Sequence, residues 1–280
     1  MSSEVMQTKE AIMTHYEFIK LETADGVATL TLNRPDKRNA ISDQMRGEFI
    51  HALEAVAQDR QAKALVLTGA GVGFCAGGDI AGMKRRMEAD PGEVAFNGWS
   101  RQQRVHHAVG LLHGMPKPTI AAVNGAATGL GADTALSCDF VVAATDAAFT
   151  WSYISRGLIP DGGGMYFLPR RVGLPRAKEL IYSGRRVDAE EALRLGIADR
   201  LVPTASVVAD AQAWARELSH GSPTALALSK SILDQSSELS AQQVFAMGSQ
   251  AQGICYTSTP HRESVAAFLD KVARAKEARG

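Results

Sequence analysis

Apolar and polar positions alternate in two short runs near the start of the chain, YEFIKLE and GVATLTLNR, with TADG between them. A period of two around an Asp-Gly turn signal predicts a β-hairpin. The period then changes. In ISDQMRGEFIHALEAVAQD the apolar residues Met45, Phe49, Ala52, Leu53 and Val56 recur at helical spacing, and Ser42 stands where an N-cap belongs. Downstream, KALVLTG, PTIAAVNG and DFVVAAT are compact apolar runs that read as buried strands. Glycine-rich loops follow the first two, a polar helical stretch from Met83 to about Val109 separates them, and a short helix is expected around Thr134. The alternation predicts an α/β fold. After LVPT at 201–204 the pattern turns helical, through VVADAQAWARELSH, PTALALSKSILDQ, ELSAQQVFAMGSQAQ and HRESVAAFLDKVARAKEA. The chain is therefore expected to divide into a loose end (1–14), a core (15–203) and a C-terminal helical region (204–280).

Composition narrows the class. With 280 residues the chain is long enough to bury a substantial core without disulfide staples. Lys plus Arg and Asp plus Glu number 30 each, so the clustered positive charge of a nucleic-acid binder is not expected. The three cysteines, Cys75, Cys138 and Cys255, are far apart and form no CxxC pair, which fits free thiols in a reducing compartment. MSSEVMQTKEAIMTH lacks the apolar centre of a signal peptide, and the apolar runs stop well short of the roughly 20 residues needed to span a bilayer. A cytoplasmic protein with no membrane partner is expected.

The loops GAGVGFCAGGDI and NGAATGLGAD each follow a buried-looking strand, and the second leads into a helix. Such a place offers backbone N–H groups and the helix dipole to an anion. A dinucleotide site fits poorly, because GLGADT puts Thr134 where the fingerprint has its last glycine, and neither GxxxxGK[ST] nor GxSxG is present. His106, His107 and His113 match no familiar zinc spacing, so no metal site is expected. Cys75 has no base partner visible in the sequence and reads as a small loop residue. In LIPDGGGMYF, Asp161 stands between a proline and three glycines. An aspartate there either hydrogen-bonds its own turn or performs chemistry, and local sterics do not decide between the two.

Several motifs in order carry a resemblance. FCAGGDI, then KPTIAAVNGAATGLGADTALSCD, then AAFTWSYISRGLIPDGGGMYFLPRRVG and AKELIYSGRRVDAEEALRLGIADRLV resemble the enoyl-CoA hydratase/isomerase (crotonase) superfamily over roughly residues 15–204. The resemblance implies a spiral of ββα units, a C-terminal helical region that builds trimers or dimers of trimers, and an acyl-CoA thioester as substrate. It implies no separate cofactor, since coenzyme A enters as part of the thioester. Two backbone N–H groups, at positions matching Gly78 and Leu130, would receive the thioester oxygen as negative charge develops. For coenzyme A the resemblance points to Gly78, Asp79, Ile80 and Ala81, to Phe268 and Lys271, and to Lys37 and Arg38 for the phosphates; a solvated surface turn is the other reading of that basic pair.

The acids set the reaction type. Family hydratases carry glutamates at the positions matching Asp133 and Tyr153, and here the first is shortened and the second is a phenol. A phenol with a pKa near 10 donates at neutral pH but is a poor base. Asp161 is similar in position to the base of family isomerases, including the dienoyl type and the ring-epoxide type of phenylacetyl-CoA breakdown. An isomerase with Asp161 as base is therefore favoured, with Asp133 either a second acid or a support for its loop. A hydratase using Asp133 is one alternative. Another is an aryl-CoA dehalogenase, because His106, Tyr153 and Asp161 match the histidine base, tryptophan and nucleophilic aspartate of 4-chlorobenzoyl-CoA dehalogenases. A catalytically silent acyl-CoA binder is the alternative outside enzymes.

Overall fold

The computed structural model describes residues 16–277, so the loose end expected at 1–14 lies outside the described residues. Strands β1 (Ile19–Ala24) and β2 (Val27–Leu32) form the antiparallel hairpin, from Ile19 opposite Leu32 to Ala24 opposite Val27. Its two turn residues, Asp25 and Gly26, both have positive φ (50° and 78°), as a two-residue turn matched to strand twist requires. Helix α1 (Asp43–Gln58) follows; the Ser42 hydroxyl accepts the Met45 N–H at 3.2 Å, and the five apolar residues at helical spacing are buried. Strand β3 (Ala64–Gly69) is buried along its whole length between β2 and the strand β5 (Thr119–Val123).

Short strands follow the long ones: β4 (Gly73–Cys75) after β3 and β6 (Ala126–Thr128) after β5, each inside a glycine-rich loop, and β8 (Ala148–Thr150) after β7 (Phe140–Ala144), in a connection without glycine. Each pair places its first strand in a six-stranded sheet and its second in a four-stranded one, then leaves through helices: α2 (Ile80–Met87) and α3 (Pro91–His113), then α4 (Leu130–Leu136), then α5 (Gly164–Val172) and α6 (Leu174–Ser183). The chain returns through β9 (Arg186–Asp188), α7 (Ala189–Leu195) and β10 (Arg200–Val202). The six-stranded order is β1-β2-β3-β5-β7-β10 and the four-stranded order is β4-β6-β8-β9. Successive units therefore stack as turns of the ββα spiral that the sequence motifs imply.

Side chains do not fit where β3 folds back into β4 or where one turn meets the next. A Cβ at Gly69 would collide with the carbonyls of Gly73 and Phe74, and one at Gly125 with that of Val72. The C-terminal region is helical as expected, with α8 (Val207–Leu218), α9 (Pro223–Leu233), α10 (Ala241–Thr257) and α11 (Thr259–Glu277). Helix α8 crosses β3 and β5 and buries Val207, Ala211 and Ala215. Helices α9 and α10 bury no residue. The polar stretch expected as one helix is two, α2 and α3, because Pro91 starts a new helix at its first turn, where it needs no N–H partner. No helix among the described residues is long and apolar enough to cross a membrane.

Candidate active site

The two glycine-rich loops touch. A Cβ at Gly77, whose φ is 91°, would lie 2.7 Å from the Thr128 carbonyl and 3.4 Å from the Leu130 nitrogen. At Gly131 it would collide with the Cys75 carbonyl. Only glycines at both places let the loops close on each other. Ile41 pairs with Gly78 in an isolated parallel bridge, donating to Gly77 O at 2.8 Å and accepting from Asp79 N at 3.1 Å. In that pattern the N–H of Gly78 itself faces away from Ile41. Leu130 is the first residue of α4, where no preceding carbonyl is placed to accept its N–H. Sequence-predicted Gly78 and Leu130 thus bring two backbone donors to one wall, and both line a cavity of about 510 Å³.

A second cavity of about 690 Å³ adjoins it, sharing Gly78, Ile80 and Arg101. Lys37, Asp79 and Ala81 line this second cavity. Asp79 is engaged with the protein: it pairs with Arg34 at 3.1 Å and accepts the Ala81 N–H at 2.9 Å. Burial raises its pKa, but these partners outweigh burial and hold the carboxyl below its usual range. Arg38 caps a single 3₁₀ turn (Pro35–Lys37) at a positive φ of 47° and does not line either cavity. Phe268 and Lys271 lie on the exposed α11 and do not reach the cleft within one chain.

The two acids and the phenol sort by burial. Asp133 on α4 is fully buried. Its Oδ1 accepts the indole N–H of Trp151 at 2.9 Å and its Oδ2 accepts the Tyr153 hydroxyl at 2.7 Å. The Gly164 N–H also favours its charged form, yet burial dominates and lifts its pKa to about 7. Tyr153 lines the 510 Å³ cavity but spends its proton on Asp133, and burial followed by that neighbouring charge drives its pKa far above the ordinary phenol value. It cannot serve as a base.

Asp161 is half-buried and lines the same cavity, the only carboxylate to do so among the described residues. Its N–H donates to Ile159 O at 2.8 Å, a tight turn that aims the side chain, and His106 Nε2 lies 3.1 Å from its carbonyl oxygen. Burial raises its pKa; its backbone hydrogen bond and the charges of His106 and Arg101 pull back without cancelling the rise. A carboxylate so placed is a better base than an exposed one. Cys75 is buried, its Sγ 3.1 Å from Asn39 O, and burial pushes the thiol up to about 12, which fits packing and not nucleophilic chemistry.

Two residues of this neighbourhood escape the sequence reading. Trp151 directly follows β8, and Tyr153 lies in the turn after it with helical backbone angles (φ −57°, ψ −45°), so no strand or helix period in the sequence placed the two around one carboxylate. Arg101 sits in a polar helical run with no local motif, so nothing in the sequence set it apart.

Known proteins share this fold and much of this sequence. The sequence signature of enoyl-CoA hydratase/isomerase matches residues 22–276. The chain is 37% identical over 256 residues to a 1,2-epoxyphenylacetyl-CoA isomerase of Escherichia coli, covering 91% of this chain and 96% of that one. It is 32% identical over 252 residues to a short-chain-enoyl-CoA hydratase of Clostridium acetobutylicum, covering 90% and 94%. The crystal structure of an enoyl-CoA hydratase from Polaromonas sp. JS666 superimposes with a TM-score of 0.84 at 33% identity, covering 90% of this chain and 97% of that one. With the ββα spiral, the paired loop donors and a match along most of its length, the chain belongs to the enoyl-CoA hydratase/isomerase family of the crotonase superfamily.

Proposed function

We propose that this family member is an acyl-CoA isomerase with Asp161 as its base. One observation carries the reading: Asp161 is the only carboxylate lining the acyl cavity among the described residues, whereas both oxygens of Asp133 are taken inside the core. The thioester oxygen receives the N–H groups of Gly78 and Leu130. Asp161 removes a proton from the acyl chain, the electron pair moves into the carbonyl as an enolate, and the two donors hold that charge. The same carboxylic acid returns the proton at another carbon as the enolate collapses. A double bond moves, the composition is unchanged, and the scheme calls on no cofactor beyond the coenzyme A of the substrate. Hydration is less well served, since it calls for two acids around a water and this cavity offers one. The names of the relatives point both ways, with an isomerase at 37% identity and a hydratase at 32%.

Lys37, Asp79, Ile80 and Ala81 are proposed to line the coenzyme A cleft, with Arg38 at its margin. Phe268 and Lys271 would reach a cleft only across an interface between copies, in a trimer or dimer of trimers. Three free thiols fit a reducing, cytoplasmic setting.

Asp161→Asn keeps the shape and cannot take the proton. Acyl-CoA binding by calorimetry is expected to persist, while isomerisation and solvent deuterium exchange fall together by about 10²- to 10⁴-fold. Exchange that survives in Asp161→Asn but vanishes in Asp133→Asn transfers the base to Asp133 and favours the hydratase. An aryl ester on Asp161, formed with release of halide from a halogenated aryl-CoA whose thioester stays intact, establishes the dehalogenase. Tight binding with no turnover of enoyl-, dienoyl- or aryl-CoA thioesters leaves a silent binder.

A further inference from the structure

Two helices line the acyl cavity, and each presents one face to it. From α2 come Ile80, Met83, Lys84 and Met87, spaced i, i+3, i+4, i+7. From α3 come Val94, Gly98, Arg101, Gln102 and Val105, again a single helical stripe. The Val105 end of that stripe is the reacting end, because the next residue, His106, reaches the carbonyl of Asp161, and Arg101 stands by Gly78. From there to Val94 the stripe runs about 16 Å along the helix axis, by the rise per residue. A butyryl chain covers only part of that length.

Gly98 stands in the outer half of this wall. Its φ is not positive, and a Cβ there would meet nothing within 4 Å among the described residues outside its own stretch of helix. Neither backbone conformation nor close approach therefore calls for glycine, which inside a helix is less stable than alanine. Gly92 and Gly110 of the same helix are as open, but they are exposed and do not line the cavity. At Gly98 the missing side chain leaves room in the cavity itself.

The surroundings of that room are apolar. Ile80, Met87 and Ile159 line the cavity and are each more than half exposed, so an apolar ligand would cover surface that the protein leaves bare. Lys84 and Arg156 line it too, but both are exposed, and such side chains keep their charge in water while their stems cover apolar surface.

We propose that Gly98 is a specificity-determining residue, and that the room it leaves receives the far end of an apolar acyl chain longer than four carbons. This rests on the acyl-CoA reading above and names its substrate class, a medium-chain acyl thioester with an uncharged end. The thioester oxygen stays at Gly78 and Leu130, the reacting carbons lie by Asp161, and the remaining methylenes run along α3 towards Val94.

Saturated thioesters test this apart from the isomerase mechanism, since they bind without a double bond to move. Calorimetry compares free coenzyme A with butyryl-, hexanoyl- and octanoyl-CoA. A fully buried methylene is worth up to about fourfold, so octanoyl-CoA is expected to bind at least about tenfold tighter than butyryl-CoA. Gly98→Leu and Gly98→Met fill the room with side chains that favour a helix. In both, octanoyl-CoA is expected to lose about tenfold or more, while butyryl-CoA and free coenzyme A stay within about twofold. An affinity that does not rise beyond butyryl-CoA in the parent protein overturns the proposal without any variant. A variant with the parent's circular dichroism that binds octanoyl-CoA as the parent does, or that weakens free coenzyme A as much as octanoyl-CoA, overturns it as well. Failure of every thioester to bind removes the acyl-CoA reading and this proposal together, whereas the expected binding pattern without isomerisation of any enoyl ester removes the isomerase and leaves this proposal standing.

Discussion

Beneath Asp161, a Cβ at Gly164 would collide with Asp133 Oδ1, one at Gly162 with the Leu130 side chain, and one at Gly163 would lie 2.6 Å from the Phe167 ring. The glycine run is therefore a matter of close approach: it lets the turn close over a buried carboxylate and leaves Asp161 facing the cavity. The sealed Asp133 has a consequence for stability. Its pKa is about 7 in the folded protein against an ordinary 3.8, so between these values the native state holds a proton that the unfolded chain has released. The stability from this group is fully present below pH 3.8 and is lost as pH rises through about 7. Asp133→Asn removes the titration. In urea unfolding from pH 4 to 8, the stability of the parent relative to Asp133→Asn is expected to decline as pH rises to about 7 and then level off. A gap that stays constant across that range would show that the three donors fully offset burial. That Asp161 and not Asp133 lines the cavity was not legible in local pattern; only the resemblance favoured Asp161. Asp133 and Asp161 are both aspartates in glycine-rich surroundings, and their difference is set by Trp151 and Tyr153, 18 and 20 residues from Asp133.

Among the elements, the long ones were readable and the short ones were not. The hairpin, α1, β3, β5, β7 and the C-terminal helices carry enough residues for a period to show. Strands β4, β6, β8 and β9 have three residues each, too few for any period, and exist because a neighbouring turn of the spiral offers each a partner. Asn39 is a second case of structure invisible to pattern. It is fully buried at a positive φ of 58°, and its side-chain amide donates to the carbonyls of Ala70, Gly73 and Phe74 at 2.9 to 3.1 Å while accepting the Arg34 N–H. One amide thereby ties the segment before α1 to the loop that carries β4 and, beyond it, Gly78. Asn39→Ala leaves buried carbonyls unsatisfied and is expected to cost about 2–4 kcal/mol in denaturant unfolding. Turnover is expected to fall further than stability alone accounts for, because the Gly78 donor loses its anchor. An effect below about 0.5 kcal/mol would mean that the loop is held by the Ile41–Gly78 bridge instead.

At the scale of the whole molecule the unfinished part is the tail. Helices α9 and α10 bury nothing, and Leu233, Phe245, Ile254 and Tyr256 are each more than half exposed, as are Phe268 and Leu269 on α11. Helices of this length hold together through packing of an apolar face, and so much exposed apolar side chain marks an interaction surface. The equal numbers of acidic and basic residues leave no net charge to keep copies apart. The proposed trimer or dimer of trimers would cover this face. Sedimentation equilibrium is expected to find three or six times the 29.8 kDa of one chain. Phe245→Asp with Ile254→Asp would place two carboxylates on the covered face of α10, where an unpaired charge is costly, and is expected to shift the protein towards single chains. Because α8 and the sheets form a core of their own, those chains are expected to keep most of the parent's circular dichroism while their melting temperature falls. A parent protein that sediments as one chain at every concentration, with full activity, would show that the exposed face of α9 to α11 serves some purpose other than assembly.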